Sequence, residues 1–332
     1  MKPLRIIELF GGIGAFTKAL EKLNIPHEVV DYVEIDKYAV KSFNAIHGTN
    51  FEPKDIKEYN PRVYNYSPID IIVHGSPCQD FSIVGNRLGA SEGGHTRSSL
   101  MYETLRIVKE IRPKVVIWEN VKSVLSKKNI NNFNRYEYNL RLMGYYTYHD
   151  VLNAKDYGIP QTRERLYCIS IRADVNSYGN HVTNYIFPRK QLLKYTVQDI
   201  LEKNVNEKYY LSDKMKKYIS QVGSENYHNN NCKINLQVAR PLTTEHGKRA
   251  GTTNYFSEDL ILEKDIRGMD LSNIRIRRLT PSECFILMGF TYTDYVLCKT
   301  AGLSDTQLYK QTGNSIVVNV LEEIIKELLK II

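Results

Sequence analysis

Residues 4–23 change character twice within a short span: an apolar run at 4–10, a turn containing Gly11, Gly12 and Gly14, and a stretch with helical apolar spacing at 15–23. The run has strand length, so the three read as strand, tight turn and helix, the opening of a nucleotide-binding βα unit. A second strand over 28–33 ends at Glu34, 20 residues past Gly14. A carboxylate at that distance can accept hydrogen bonds from both hydroxyls of an adenosine ribose. A solvated strand-end carboxylate explains Glu34 equally well. The glycine pattern alone suits NAD, FAD and S-adenosylmethionine alike. Two points favour the last: the turn lacks the full GxGxxG that brings a helix terminus against a pyrophosphate, and this methyl donor has no phosphate to bind.

A short β-branched run at 69–73 leads into GSPCQDFS at 75–82. Cys78 is thereby expected beyond the carboxyl end of a buried strand, where open α/β sheets place their ligands. A thiol attacks only as thiolate and needs a partly polar, electropositive setting. An isolated cysteine is more often a small buried hydrophobe, but here the flanking residues are polar and loop-like. Gly85, Gly89, Gly93 and Gly94, interleaved with Arg87, Ser91 and Arg97, follow directly and have the composition of a lid. The spacing over 99–111 predicts a helix ended by Arg112-Pro113, and a strand over 115–118 delivers Glu119 and Asn120. Neighbouring strand ends would thus present a thiol and a carboxyl group, a pairing suited to covalent attack on an electron-poor ring. Trp118 is expected in the core. Further strands are predicted over 145–152 and 166–171. Arg163 and Arg165 alternate along an extended segment, so both can reach one cavity or both can lie on the surface.

The 45 Lys and Arg against 37 Asp and Glu give a net charge of +8, which favours a polyanionic partner. Much of the excess lies within 185–278, which carries 17 basic and 11 acidic side chains. From about Tyr185 the chain turns to Lys, Asn and Tyr with weak periodicity, which sets a domain boundary there. Within it, Arg240, His246, Lys248 and Arg249 lie among Thr and Gly, a loop that can enter a major groove or contact phosphates only. Five cysteines without a CxxC pair argue against a disulfide framework or a zinc site and suit a reducing cytosol. No secretory leader and no apolar run near 20 residues is present, so secretion and membrane spanning are not expected. Thr280-Pro281 should start a helix that Gly289 stops. Asn314 or Ser315 should cap a last helix with the stripe Val317, Val320, Leu321, Ile324, Leu328 and Ile331.

GSPCQDFS resembles the catalytic motif of the DNA cytosine-5 methyltransferases, bacterial or phage type. Five further blocks stand in that family's order: FGGIG at 10–14, ENV at 119–121, QTRER at 161–165, LTPSEC at 279–284 and QTGNS at 311–315. The resemblance implies an α/β fold, a Rossmann-like S-adenosylmethionine-dependent methyltransferase domain with a mostly parallel sheet plus a smaller irregular target-recognition domain. It implies a catalytic and cofactor-binding domain over 1–184, target recognition over 185–275 and a segment, 276–332, that returns to the catalytic domain. Carried over residue by residue, Cys78, Glu119, Arg163 and Arg165 are catalytic. Phe10, Gly12, Ile13, Gly14, Glu34, Ile35, Asp55, Ile56, Pro77, Leu100, Asn314 and Ser315 surround S-adenosyl-L-methionine. Gln79, Ser82, Arg97, Gln161, Arg240, Lys248 and Arg249 face DNA. Ala15 and Ile35 depart from the family, where glycine and a bulkier aromatic are common. The implied partners are double-stranded DNA and a restriction endonuclease acting on the same site, with a monomeric, cytoplasmic enzyme and no metal. Within the same family, a tRNA cytosine methyltransferase is the rival reading; that branch carries a CFT triplet after the QxRxR block, and here Tyr167-Cys168-Ile169 stands instead. A catalytically idle DNA-binding module would have no use for a thiol facing a carboxyl group. A nicotinamide oxidoreductase would need a better GxGxxG.

Overall fold

The structure, a computed structural model, describes residues 2–61, 68–76, 100–175, 184–221, 232–249, 252–260 and 262–332. The chain divides into two compact units, one formed by Met1–Asn153, Glu164–Lys190 and Val318–Ile332, the other by Ala154–Arg163 and Gln191–Val317.

The first unit is built on a six-stranded sheet. In chain order its elements are β1 (Leu4–Leu9), α1 (Ala15–Lys22), β2 (His27–Val33), α2 (Lys37–His47), β3 (Ile71–His74), α3 (Leu100–Ile111), β4 (Val115–Val121), α4 (Ile130–Leu142), β5 (Tyr145–Asn153) and β6 (Glu164–Arg172). The strand order is β2-β1-β3-β4-β6-β5. β1, β2, β3 and β4 run parallel, and β6 runs antiparallel to both of its neighbours. The mostly parallel α/β sheet is the architecture the sequence predicts. Continuous β-branched runs rather than alternating ones make these strands, because helices cover both faces of such a sheet; β3 is buried along its whole length.

Asp36 starts α2 by accepting the Tyr38 N–H at 2.9 Å, and Gly48 ends it in the left-handed region. The core centres on Trp118, which is fully buried and stacks on Phe133 at 5.9 Å between ring centroids. It thus sits where the sequence places it. The helix Val318–Leu328 packs on α1, burying Val320, Leu321, Ile324 and Leu328 of the expected stripe. Leu9 stands in register with Val33 and His74, and His74 with Trp118, so the carboxyl ends of β1, β2 and β3 form one line, beyond which β4 projects to Val121. Segments leave this edge at Phe10, Glu34 and Gly75, whereas β4 runs three residues beyond the expected 115–118, so Glu119 and Asn120 lie within the strand, paired to β6. This is the edge where open parallel sheets bind ligands.

The second unit has little regular structure. Two-stranded pairings join β7 (Lys233–Ile234) to β9 (Lys264–Asp265) and β8 (Tyr255–Phe256) to β10 (Arg277–Arg278). Its helices are α5 (Asp213–Ser220), α6 (Pro281–Leu287), α7 (Tyr292–Thr300) and α8 (Asp305–Asn314). Apolar residues Ile219, Cys232, Ile234, Tyr255, Ile266, Leu271 and Ile276 form a small core. Beside α6 lies a buried ion pair: the Glu283 carboxylate accepts from Arg277 Nη1 at 2.9 Å and Nη2 at 2.8 Å. It also accepts from the Thr280 N–H at 2.7 Å and the Glu202 N–H at 2.8 Å. The LTPSEC block therefore serves as a helix start, with Thr280 as cap and Pro281 in the first turn, as the sequence predicts. Removing one partner of such a buried pair typically costs about 3–5 kcal/mol.

The first four residues of the QTGNS block form the end of α8. Asn314 is the last residue of α8 and Ser315 follows it, so neither starts the final helix, which begins at Val318. Gly313 is buried there because a Cβ would collide with the backbone of Thr243 and Thr244.

Candidate active site

The turn after β1 is held by an unusual set of contacts. Phe10 N–H donates to Val33 O at 2.7 Å, and Gly14 N–H closes the turn on Gly11 O at 2.9 Å. Gly12 and Gly14 have φ of 56° and 78°, left-handed values that cost glycine little, and Phe10, with φ of 53°, adopts the same region as a non-glycine residue. Glu34, at the end of β2, accepts the Gly12 N–H at 3.2 Å and the Asp36 N–H at 2.9 Å. Burial raises the Glu34 carboxyl above its usual range, against the opposing pull of those N–H groups. A Cβ built on Gly12 would meet nothing within 4 Å. One face of the turn is therefore open space bordered by a carboxylate. That opening and its acceptor fit a ribose-bearing methyl donor, and no pyrophosphate-binding feature is needed.

The expected cofactor residues differ in setting. Ile13 and Ile56 are buried, Asp55 is half-buried and accepts the Lys57 N–H at 2.9 Å, and Leu100 opens α3 half-buried. Ile35 is 66% exposed, so its side chain remains available for a flat ligand surface. Asn314 is exposed and Ser315 buried, both in the second unit. Pro77, Cys78, Gln79, Ser82 and Arg97, with the expected lid, lie outside the described residues.

At the adjacent strand ends, the Glu119 carboxylate pairs with Arg165 Nε at 3.2 Å, both side chains being largely buried. Glu119 sits opposite Tyr167 and Val121 opposite Arg165 in the antiparallel ladder, so β4 and β6 together aim the two charges. A Cβ on Gly75 would stand 3.9 Å from Glu119 Oε2. The carboxyl group is thus beside the segment that leads, three residues on, to Cys78. Below it, Trp118 Nε1–H donates to Ser76 Oγ at 3.1 Å, and the buried His74 ring meets the Tyr136 hydroxyl at 2.8 Å. Burial pushes His74 down to about 3, so it is neutral and structural.

Arg163 is buried in the second unit. Its Nη1 donates to Leu242 O at 2.7 Å, and Nη2 to Gly313 O at 3.0 Å and Ser315 O at 2.9 Å. The two arginines of QTRER thus have different partners, Arg165 a carboxylate and Arg163 backbone carbonyls. Gln161 is fully buried: its amide donates to Leu287 O at 2.8 Å and accepts the Leu242 N–H at 2.9 Å. Lys248 and Arg249 are exposed, Arg249 facing Glu245 at 3.7 Å. Arg240 is half-buried and donates to Lys233 O at 3.2 Å. His246, from the same loop, is buried against Tyr309 and pushed down to about 4, so it brings no charge at neutral pH.

The described cysteines, Cys168, Cys232, Cys284 and Cys298, are all buried and free of disulfides. Burial pushes the Cys168, Cys232 and Cys284 thiols up, away from the thiolate form. No group of His, Cys, Asp or Glu among the described residues could hold a metal ion, and no described helix is long and apolar enough to cross a membrane. Sequence reasoning missed Tyr32 and His47, which lie under the glycine turn. Nothing in their local spacing marks them, because their role depends on which glycine each one meets in the fold.

A family profile described as C-5 cytosine-specific DNA methylase matches residues 4–330. The type II methyltransferase M2.ScrFI of Lactococcus lactis subsp. cremoris is 34% identical, with 98% of this chain and 99% of the relative covered. The orphan methyltransferase M.SPRI of Bacillus phage SPR is 32% identical, with 99% and 98% covered. Among solved structures, the Entamoeba histolytica methyltransferase EhMeth superposes with a TM-score of 0.77 at 20% identity, covering 99% of each chain, a likeness of fold.

Proposed function

The chain belongs to the C-5 cytosine-specific DNA methylase family and is a sequence-specific DNA cytosine-5 methyltransferase, and we propose that it works through Cys78, Glu119 and Arg165 with S-adenosyl-L-methionine as methyl donor. The observation that carries this reading is the Glu119–Arg165 pair at the carboxyl edge of the sheet, beside Gly75. Cytosine C5 is a poor nucleophile while the ring is aromatic. Addition of the Cys78 thiolate to C6 forms an S–C6 bond and moves electron density to C5. Glu119 gives a proton or a hydrogen bond to ring N3, which neutralises the negative charge that the addition places on the ring, and Arg165 fixes the carboxyl group's orientation. S-adenosyl-L-methionine, held by Phe10, Gly12, Ile13, Gly14 and Glu34, supplies an electrophilic methyl group. Loss of the C5 proton to a base then expels the thiolate and restores the ring.

The substrate is double-stranded DNA, and the target base leaves the duplex before reaction, at a cost of a few kcal/mol offset by pocket and phosphate contacts. Recognition belongs to the irregular unit, with Arg240, Lys248 and Arg249 toward DNA, joined by Gln79, Ser82 and Arg97. Arg163 and Gln161 act by bracing that unit. Pro77, Ile35, Asp55, Ile56 and Leu100 complete the donor site. The enzyme acts as a monomer in the cytoplasm of a bacterium or phage-infected bacterium, beside a restriction endonuclease of the same specificity.

DNA in which 5-fluorocytosine replaces cytosine tests the chemistry, because fluorine cannot leave C5 as a cation and elimination stops. With the donor present, a protein–DNA adduct stable to denaturant is expected, mapping to the peptide that contains Cys78. Recovery of only free protein contradicts the covalent scheme. Exchange of residues 185–273 for the matching segment of a relative with a different target tests recognition. The methylated sequence should follow the exchanged segment; an unchanged sequence places recognition elsewhere.

A further inference from the structure

Two side chains that the mechanism does not use sit directly beneath the donor turn. Tyr32, fully buried on β2, donates its hydroxyl to Gly12 O at 2.6 Å. On α2, His47 has a side chain only 1% exposed and meets Ile13 O through Nε2 at 3.2 Å and Glu21 Oε1 through Nδ1 at 2.6 Å. The glycines of the turn match these two rings. A Cβ on Gly11 would lie 2.7 Å from Tyr32 Cε2, and one on Gly14 would run into His47 Nε2 and the Phe43 ring. Gly12, between them, faces open space instead. Gly11 and Gly14 therefore let the rings come close, and Gly12 forms the open face.

We propose that Tyr32 and His47 are positioning residues for the methyl-donor turn, binding the carbonyl oxygens of Gly12 and Ile13 so that these point into the protein and the open face presents none of that negative charge to the ligand. The proposal rests on the reading of this turn as the S-adenosyl-L-methionine site. Both carbonyls belong to consecutive residues, and each has a buried donor from a different element, β2 and α2. Turning either peptide would bring its oxygen toward the opening and narrow it. Glu21 holds the far side of the His47 ring, and its own carboxyl lies below the usual value; burial opposes this shift, and the His47 and Lys18 contacts produce it.

The test is calorimetric binding of S-adenosylhomocysteine to the full-length protein, for the parent, Tyr32→Phe, His47→Phe and a control, Ile46→Val, that trims α2 elsewhere. Tyr32→Phe removes one hydroxyl and keeps the ring, so it remains informative should His47→Phe fold poorly. Tyr32→Phe is expected to raise Kd about five- to tenfold, the effect of one lost buried hydrogen bond, and His47→Phe, which also loses the Glu21 contact, at least as much. KM for the donor should rise with it while kcat at saturating donor changes less than about twofold. Ile46→Val should lower the melting temperature without moving Kd. Kd values within about twofold of the parent for both ring variants would overturn the positioning role. A parent that binds no S-adenosylhomocysteine would overturn the donor-site reading, and the proposal with it.

Discussion

Cys78→Ala should reduce methyl transfer by about 10⁴-fold or more, to the level of the uncatalysed background, while affinity for target DNA stays close to that of the parent. Without the thiolate no S–C6 bond forms, C5 remains part of an aromatic ring, and no other group in the site can replace the nucleophile. The described cysteines are buried, and burial pushes the Cys168, Cys232 and Cys284 thiols up, away from the thiolate form. DNA affinity should survive because phosphate and base contacts do not need the thiol. Transfer assays with tritiated donor, paired with gel-shift binding, read both quantities. Substantial residual transfer by a well-folded Cys78→Ala protein would remove the covalent route.

Glu119→Ala carries the second large effect, a fall in kcat of about 10²–10⁴-fold with little change in KM for DNA. Glu119 is placed to act on the ring as charge develops, so its loss is felt in the transition state more than in the ground state. The variant also leaves the Arg165 guanidinium without the carboxylate that it meets at 3.2 Å. An unpaired cation in a largely buried site is costly, so melting temperature should be followed alongside rate. A rise in KM at constant kcat would assign Glu119 to substrate binding rather than to catalysis.

The parallel strands, α1 and α3 were legible because the apolar runs close on residues with their own chemistry, Gly11 to Gly14, Glu34 and Gly75, whereas α2 was not read from the sequence. The helix at LTPSEC was legible too, because Thr280, Pro281 and Gly289 are local signals for its start and stop. Other features depend on the fold. Gly313 looks like a loop glycine in QTGNS, yet it lies in a helix where its lack of a Cβ admits the Thr243–Thr244 backbone. α4 is rich in asparagine, which weakens any helical reading, and tertiary burial of Phe133, Tyr136 and Leu140 overrides that propensity. The excursion of residues 154–163 into the second unit carries no compositional mark at all. Arg163 and Arg165 are alike in the sequence, and only the fold separates a brace on backbone carbonyls from a partner for Glu119.

Base-resolution mapping of modified cytosine tests the central claim most directly, using DNA from a methylation-free bacterial host that expresses this protein or its Cys78→Ala variant. The expected result is 5-methylcytosine at one position within one short sequence, present across the host genome and absent with the variant. Unmodified DNA from a host containing abundant soluble protein, or the same methylation pattern with the variant, would contradict it.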